Sequence, residues 1–141
     1  MSYLPTKRKR PKMGTVRAPR REFKVHQAYV RRHMCSMPNC PYKDEPIEFA
    51  HIGPPGSKGA GIKAFDFWGT SFCRRHHRRC HEVGHETGCR EAGTTLEAQQ
   101  KIALNYAKTT TDKAMRAEMQ LWRVDLNTGA MAAPEEVLFN G

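Results

Sequence analysis

The chain has 141 residues, with 24 Lys and Arg against 14 Asp and Glu, a net charge of +10 and 38% hydrophobic residues. This suits one small α+β domain with tails, whose modest core is of the kind that a bound metal often staples. No apolar run approaches the roughly 20 residues of a membrane span, and no apolar h-region follows the charged N-terminal residues, so neither a membrane protein nor a secreted one is expected and the cytoplasm is the expected compartment.

The excess charge is uneven. Residues 1–22 hold Lys7, Arg8, Lys9, Arg10, Lys12, Arg17, Arg20 and Arg21 against Glu22 alone, so +7 of the +10 lies there. Pro5, Pro11, Gly14 and Pro19 interleave with the charges, and residues 1–20 read as a disordered basic arm. Such an arm attracts phosphate backbones by counterion release without reading sequence, which makes DNA the expected partner.

From Arg21 to Met34 the apolar positions Phe23, Val25, Tyr29 and Val30 are compatible with a short helix. Cys35 to Pro46 has two cysteines among prolines and an Asn and reads as a knuckle or turn. Ile47 to Ile52 alternates imperfectly and predicts a strand. Residues 53–61 carry four glycines and two prolines, a loop composition. The aromatic run from Phe65 leads to a second strand near Ser71-Phe72-Cys73, and Cys73 to Val83 predicts a helix stopped by Gly84, a natural residue for the end of a helix. Thr94-Thr95-Leu96-Glu97 predicts a capping box opening a helix to about Ala107. Asp112 to Arg123 follows as another helix, with Met115, Met119 and Trp122 on one apolar face. The expected division is an arm at 1–20, a domain at 21–125 and a loose tail at 126–141.

Five cysteines stand among seven histidines. In a reducing compartment that points to metal rather than disulfides. Cys35-x4-Cys40 and Cys73-x2-His76 are two ligand pairs of the kind that build closed tetrahedral zinc sites; Cys80 is the rival fourth ligand. His77 and His81 stand at i and i+4, which places both imidazoles on one helix face within reach of one divalent ion. His85 continues that row beyond Gly84. His51 ends the first strand, where a neutral imidazole can take a proton from water. Taken together these parts supply what phosphodiester hydrolysis needs, an activated water and neutralisation of charge on the phosphate and leaving oxygen. Arg74, Arg75 and Arg78 add positive charge to the same helix.

Ala50-His51-Ile52, the glycine-rich loop with Gly61, Lys63 and Asp66, and Cys73-Arg-Arg-His76-His77-Arg-Arg-Cys-His81 resemble the HNH (ββα-metal) endonuclease superfamily. The resemblance covers residues 35–85 and is closest to the zinc-containing phage and prophage group that includes a RecA-dependent nuclease. It implies a small ββα-metal core with a structural zinc knuckle, His51 as general base, Asp66 orienting it, Lys63 near the phosphate, and His77 and His81 as ligands of a catalytic ion. It also implies zinc on Cys35, Cys40, Cys73 and His76, DNA as substrate and a recombinase filament as partner. Magnesium or manganese is the expected catalytic ion, with zinc or nickel able to substitute because two imidazoles are softer than magnesium prefers. The chain departs from the family pattern at Ala50, where many members carry a metal-binding Asp or His; Glu48 is a candidate replacement. Two other readings stand beside the nuclease. One is a non-catalytic zinc-stabilised nucleic-acid binder. The other is an interaction protein with a second zinc involving Cys80, His85 and Cys89.

Overall fold

The computed structural model describes residues 22–54 and 65–132. The elements in chain order are α1 (Lys24–Arg31), β1 (Ile47–His51), a 3-10 turn (Asp66–Trp68), β2 (Gly69–Cys73), α2 (Arg74–Val83), α3 (His85–Glu91), α4 (Leu96–Thr109) and α5 (Lys113–Leu121). The architecture of the described residues is α+β, five helices around one two-stranded antiparallel sheet. The expected basic arm and the loop residue Lys63 lie outside the described residues.

β1 and β2 pair from Ile47↔Cys73 to His51↔Gly69. Side chains alternate along a strand, so Glu48, Ala50, Thr70 and Phe72 share one face, and Phe49, His51 and Ser71 the other. At the loop end of the pairing the Phe49 ring lies against Gly69. A Cβ there would collide with the Phe49 ring. Gly69→Ala is therefore expected to destabilise by on the order of 1–3 kcal/mol, the usual range for overpacking, read as a lowered thermal midpoint; an unchanged midpoint contradicts the close approach.

α2 follows β2 without a linker because Cys73 is both the last strand residue and the helix N-cap, its Sγ accepting the His76 N–H at 3.4 Å. Gly84, at φ 91°, ends α2 as its composition predicts and at once starts α3. α3 was not expected. His-Glu-Thr-Gly-Cys-Arg-Glu has little helix propensity, but Gly88 lets α3 close onto α2, where a Cβ would sit 2.6 Å from Cys80 Sγ, and Cys89 is fully buried. α4 is capped by Thr95, whose Oγ1 accepts the Ala98 N–H at 3.0 Å. The predicted capping box does not form, because the cap falls one residue later and Ala98, not Glu97, occupies the third helical position.

Two apolar clusters flank α4. Met37, Ala50, Ile52, Phe72, Cys80, Cys89 and Ala103 fill one; Phe23, Phe65, Phe67, Trp68, Leu104, Met115 and Met119 belong to the other. Of the expected tail at 126–141, residues 126–132 are described and pack on the domain, and residues 133–141 lie outside the described residues. Leu126 and Met131 pack on the second cluster, the Ala132 N–H donates to the Trp122 carbonyl at 2.8 Å, and Gly129 lies against the Trp68 ring. No helix among the described residues is long and apolar enough to cross a membrane.

Candidate functional site

Three constellations surround the β1–β2–α2 unit. The first is the knuckle. Cys35 and Cys40 flank a turn that passes through Asn39 in the left-handed region, φ 52°. Cys73 and His76 come from the β2–α2 junction. The donor atoms of all four residues lie within 4.8 Å of one another. Cys40 Sγ is 3.8 Å from Cys73 Sγ, and His76 Nδ1 is 3.3 Å from Cys73 Sγ and 3.5 Å from Cys35 Sγ. A tetrahedral ion with sulfur at about 2.3 Å and nitrogen at about 2.0–2.1 Å sets S···S near 3.8 Å and S···N near 3.5 Å. The cluster is thus a candidate metal site whose donor set and spacing are those of structural zinc. Burial pushes the Cys73 thiol up to about 12 and raises Cys35 as well. Thiols packed this way stay protonated unless a cation stabilises their thiolates, as a coordinating metal does. The Tyr42 N–H donates to Cys40 Sγ at 3.4 Å, and the Tyr42 ring packs edge-on to His76.

Cys80, the rival ligand, is turned away from this cluster into the core. It is buried against Gly88 and donates to Cys89, which raises its own thiol and lowers that of Cys89. Among the described residues only Cys35, Cys40, Cys73 and His76 form a group of three or more close metal donors. Cys80, His85 and Cys89, the alternative second set, do not form such a group.

The second constellation joins His51 to Asp66. His51 Nε2 lies 2.8 Å from Asp66 Oδ1, with the His51 side chain 33% exposed and that of Asp66 3%. Asp66 Oδ2 accepts the Phe23 N–H at 2.8 Å and Gln27 Nε2 at 3.1 Å. An ionised carboxylate only accepts, so the proton of a neutral His51 sits on Nε2 and its Nδ1 keeps a lone pair. The two residues the sequence singled out as base and orienter are thus in contact, although 15 positions apart.

The third constellation is on α2. His77 and His81 bring their Nε2 atoms to 3.1 Å. Two imidazole nitrogens on one ion at about 2.0–2.1 Å stand about 3.0–3.4 Å apart, so the pair fits a shared ion. Glu48 reaches across from β1 and places Oε1 2.8 Å from His77 Nδ1, while Oε2 accepts Arg74 Nε at 3.1 Å. The hydrogen bond from His77, then that from Arg74, holds the Glu48 carboxyl below its ordinary range. Arg74 is accordingly engaged by Glu48, and Arg75 stacks over Tyr42 with its centre 5.0 Å from the ring. Arg78 is exposed.

One expected juxtaposition is altered. The roles implied for His51, His77 and His81 require base and ion to act on one phosphate. Alternation instead puts His51 on the α1 side of β1, with Phe49 and Asp66, and Glu48 on the α2 side with His77. Among the described residues no hydrogen bond or ring contact joins His51 to His77 or His81. The reason is parity: residue 51 is an odd number of positions from residues 48 and 50, and Ala50 is the residue that faces α2.

Sequence reasoning passed over His26. It is fully buried, its Nδ1 2.7 Å from Thr110 Oγ1, its N–H donating to Asp112 Oδ2 at 3.0 Å, and its ring edge-on to Phe49. Among the described residues Nε2 has no hydrogen-bond partner. Burial lowers its pKa from 6.5 to about 4. Below pH 6.5 the unfolded chain therefore takes up this proton first. Its contribution is complete above pH 6.5 and lost as pH falls toward 4, at ~1.4 kcal/mol per unit and on the order of 3 kcal/mol in all. In urea titrations the stability gap between wild type and His26→Gln is expected to shrink between pH 7 and pH 4.5; a constant gap contradicts a buried neutral His26.

Comparison of the chain with protein-family models, with curated proteins and with solved structures found no match.

Proposed function

We propose that the chain is a metal-dependent DNA endonuclease of the HNH kind, stapled by zinc on Cys35, Cys40, Cys73 and His76. The observation that carries this reading is the pairing of two features on one strand–strand–helix unit: His51 locked by buried Asp66, and two imidazole nitrogens of α2 converging at 3.1 Å. His51, with Nε2 held by Asp66, takes the proton of the attacking water at Nδ1. His77 and His81 hold the divalent ion, manganese or magnesium in the first instance, which when bound stabilises charge on the scissile phosphate and the leaving 3′-oxygen. Because base and ion serve opposite sides of β1, the phosphate has to cross the end of the strand at His51. The exposed Arg78 and the basic residues Lys7, Arg8, Lys9 and Arg10 bind the backbone without reading sequence.

Plasmid nicking by the zinc-loaded full chain, with added manganese or magnesium, tests this. Wild type nicks and His51→Ala binds DNA without nicking. Strand parity favours one competing reading, a zinc-stapled nucleic-acid binder without catalysis. Wild type that binds DNA and retains zinc but cuts with neither manganese nor magnesium establishes that reading instead.

A further inference from the structure

The α2 histidine pair has a partner on the neighbouring strand that is not placed as a ligand. Glu48 bonds His77 at Nδ1, while His77 faces His81 through Nε2, on the other side of the same ring. A carboxylate behind the ring cannot also reach the ion that Nε2 would bind. Glu48 does something different: as an acceptor it requires the proton on Nδ1, and so presents the Nε2 lone pair toward His81. With His77 Nε2 as acceptor, the 3.1 Å contact makes His81 Nε2–H the donor. The carboxylate is itself oriented, since Arg74 holds its second oxygen. The juxtaposition also follows from the fold. Glu48 pairs with Phe72 in the β1–β2 register, the same face on which Phe72 packs against the His77 ring.

We infer that Glu48 is a positioning residue for the metal pair: it selects the Nδ1–H tautomer of His77 and fixes its ring, so that His77 and His81 form a preorganised two-nitrogen seat for a divalent ion. Ala50 leaves the strand without the usual ligand, and Glu48 compensates by orienting a ligand rather than replacing it. Histidine ligands are commonly backed in this way, and loss of the backing partner typically costs about 10–100-fold in metal affinity.

The inference rests on the metal reading of His77 and His81, and the test separates the two. Manganese is titrated into zinc-loaded full-length protein, where the thiolate site prefers zinc and the histidine site reports manganese. Affinity is read by calorimetry and by the manganese spin signal, and the His77 tautomer by nitrogen-15 shifts before manganese is added. The expected result is an Nδ1–H tautomer in wild type, about 10–100-fold weaker manganese binding in Glu48→Ala, partial rescue in Glu48→Gln, whose amide oxygen still accepts the proton, and no binding in His77→Ala or His81→Ala. Manganese binding unchanged in His77→Ala and His81→Ala removes the metal reading and the inference with it. Binding lost in those two but unchanged in Glu48→Ala overturns the inference alone. An Nε2–H tautomer of His77 in wild type overturns it without any variant, and loss in Glu48→Gln as complete as in His77→Ala makes Glu48 a ligand, which also overturns it.

Discussion

Stripping zinc from the full chain with a strong chelator is expected to unfold the β1–β2–α2 unit, and Cys73→Ser is expected to do the same without chelator. Cys73 is fully buried, ends β2, caps α2 and lies 3.8 Å from Cys40 Sγ and 3.3 Å from His76 Nδ1. Removing the ion leaves three thiols and an imidazole packed together with no charge to hold them. Zinc binding to sites of this composition is worth on the order of 10–16 kcal/mol, whereas whole domains are stable by about 5–15 kcal/mol. With zinc bound as proposed, the site is therefore expected to decide whether the unit folds. Circular dichroism should show loss of helix and of a cooperative melt, restored by added zinc, with one zinc per chain by elemental analysis. Cys80→Ala provides the contrast, because Cys80 lies in the core beside Cys89: it should keep one zinc per chain and lose stability by cavity formation only. A chelator-treated chain that melts as before, or a zinc count that falls in Cys80→Ala, contradicts the assignment.

The second large effect concerns the His51–Asp66 pair. Under the proposed function His51→Ala should reduce nicking by on the order of 10²–10⁴-fold, the range for a lost general base, with DNA affinity nearly unchanged. Asp66→Asn is the sharper probe. The carboxylate serves three donors: the Phe23 N–H and Gln27 Nε2 on one oxygen and His51 Nε2 on the other. An amide has one acceptor oxygen and an NH2 that repels a donor. If the oxygen keeps the α1 donors, His51 must turn or change tautomer and loses its place as base. If it keeps His51, a buried N–H is left unmatched at the start of α1, at about 1–3 kcal/mol. The variant should therefore pair a lower thermal midpoint with a turnover defect approaching that of His51→Ala, at little cost in DNA binding. Wild-type turnover in Asp66→Asn removes the orienting role, and wild-type turnover in His51→Ala removes the base.

Both results bear on the altered arrangement at β1. With the base and the α2 histidines on opposite sides of one strand, a nuclease of this shape works only on a backbone that wraps the hairpin end. A binder without catalysis needs no such path. The two can be told apart by the nicking assay, since both readings share the zinc and the DNA affinity.

Features whose causes are local were legible from the residues alone. Ligand spacing at Cys35, Cys40, Cys73 and His76, the i,i+4 placement of His77 and His81, the Gly84 stop and the Met115–Met119–Trp122 face follow from helix period and turn chemistry, which act over a few residues. Tertiary structure alone decided the rest. Cys80 became core because α3, which little in its propensity predicts, packs on it through Gly88. Residues 124–132 became part of the domain because Leu126 and Met131 found apolar partners remote in sequence. Glu48 became the partner of His77, and His51 was carried to the other side of β1, because strand register against β2 chooses which alternate side chains face α2, and that choice depends on which face can be buried.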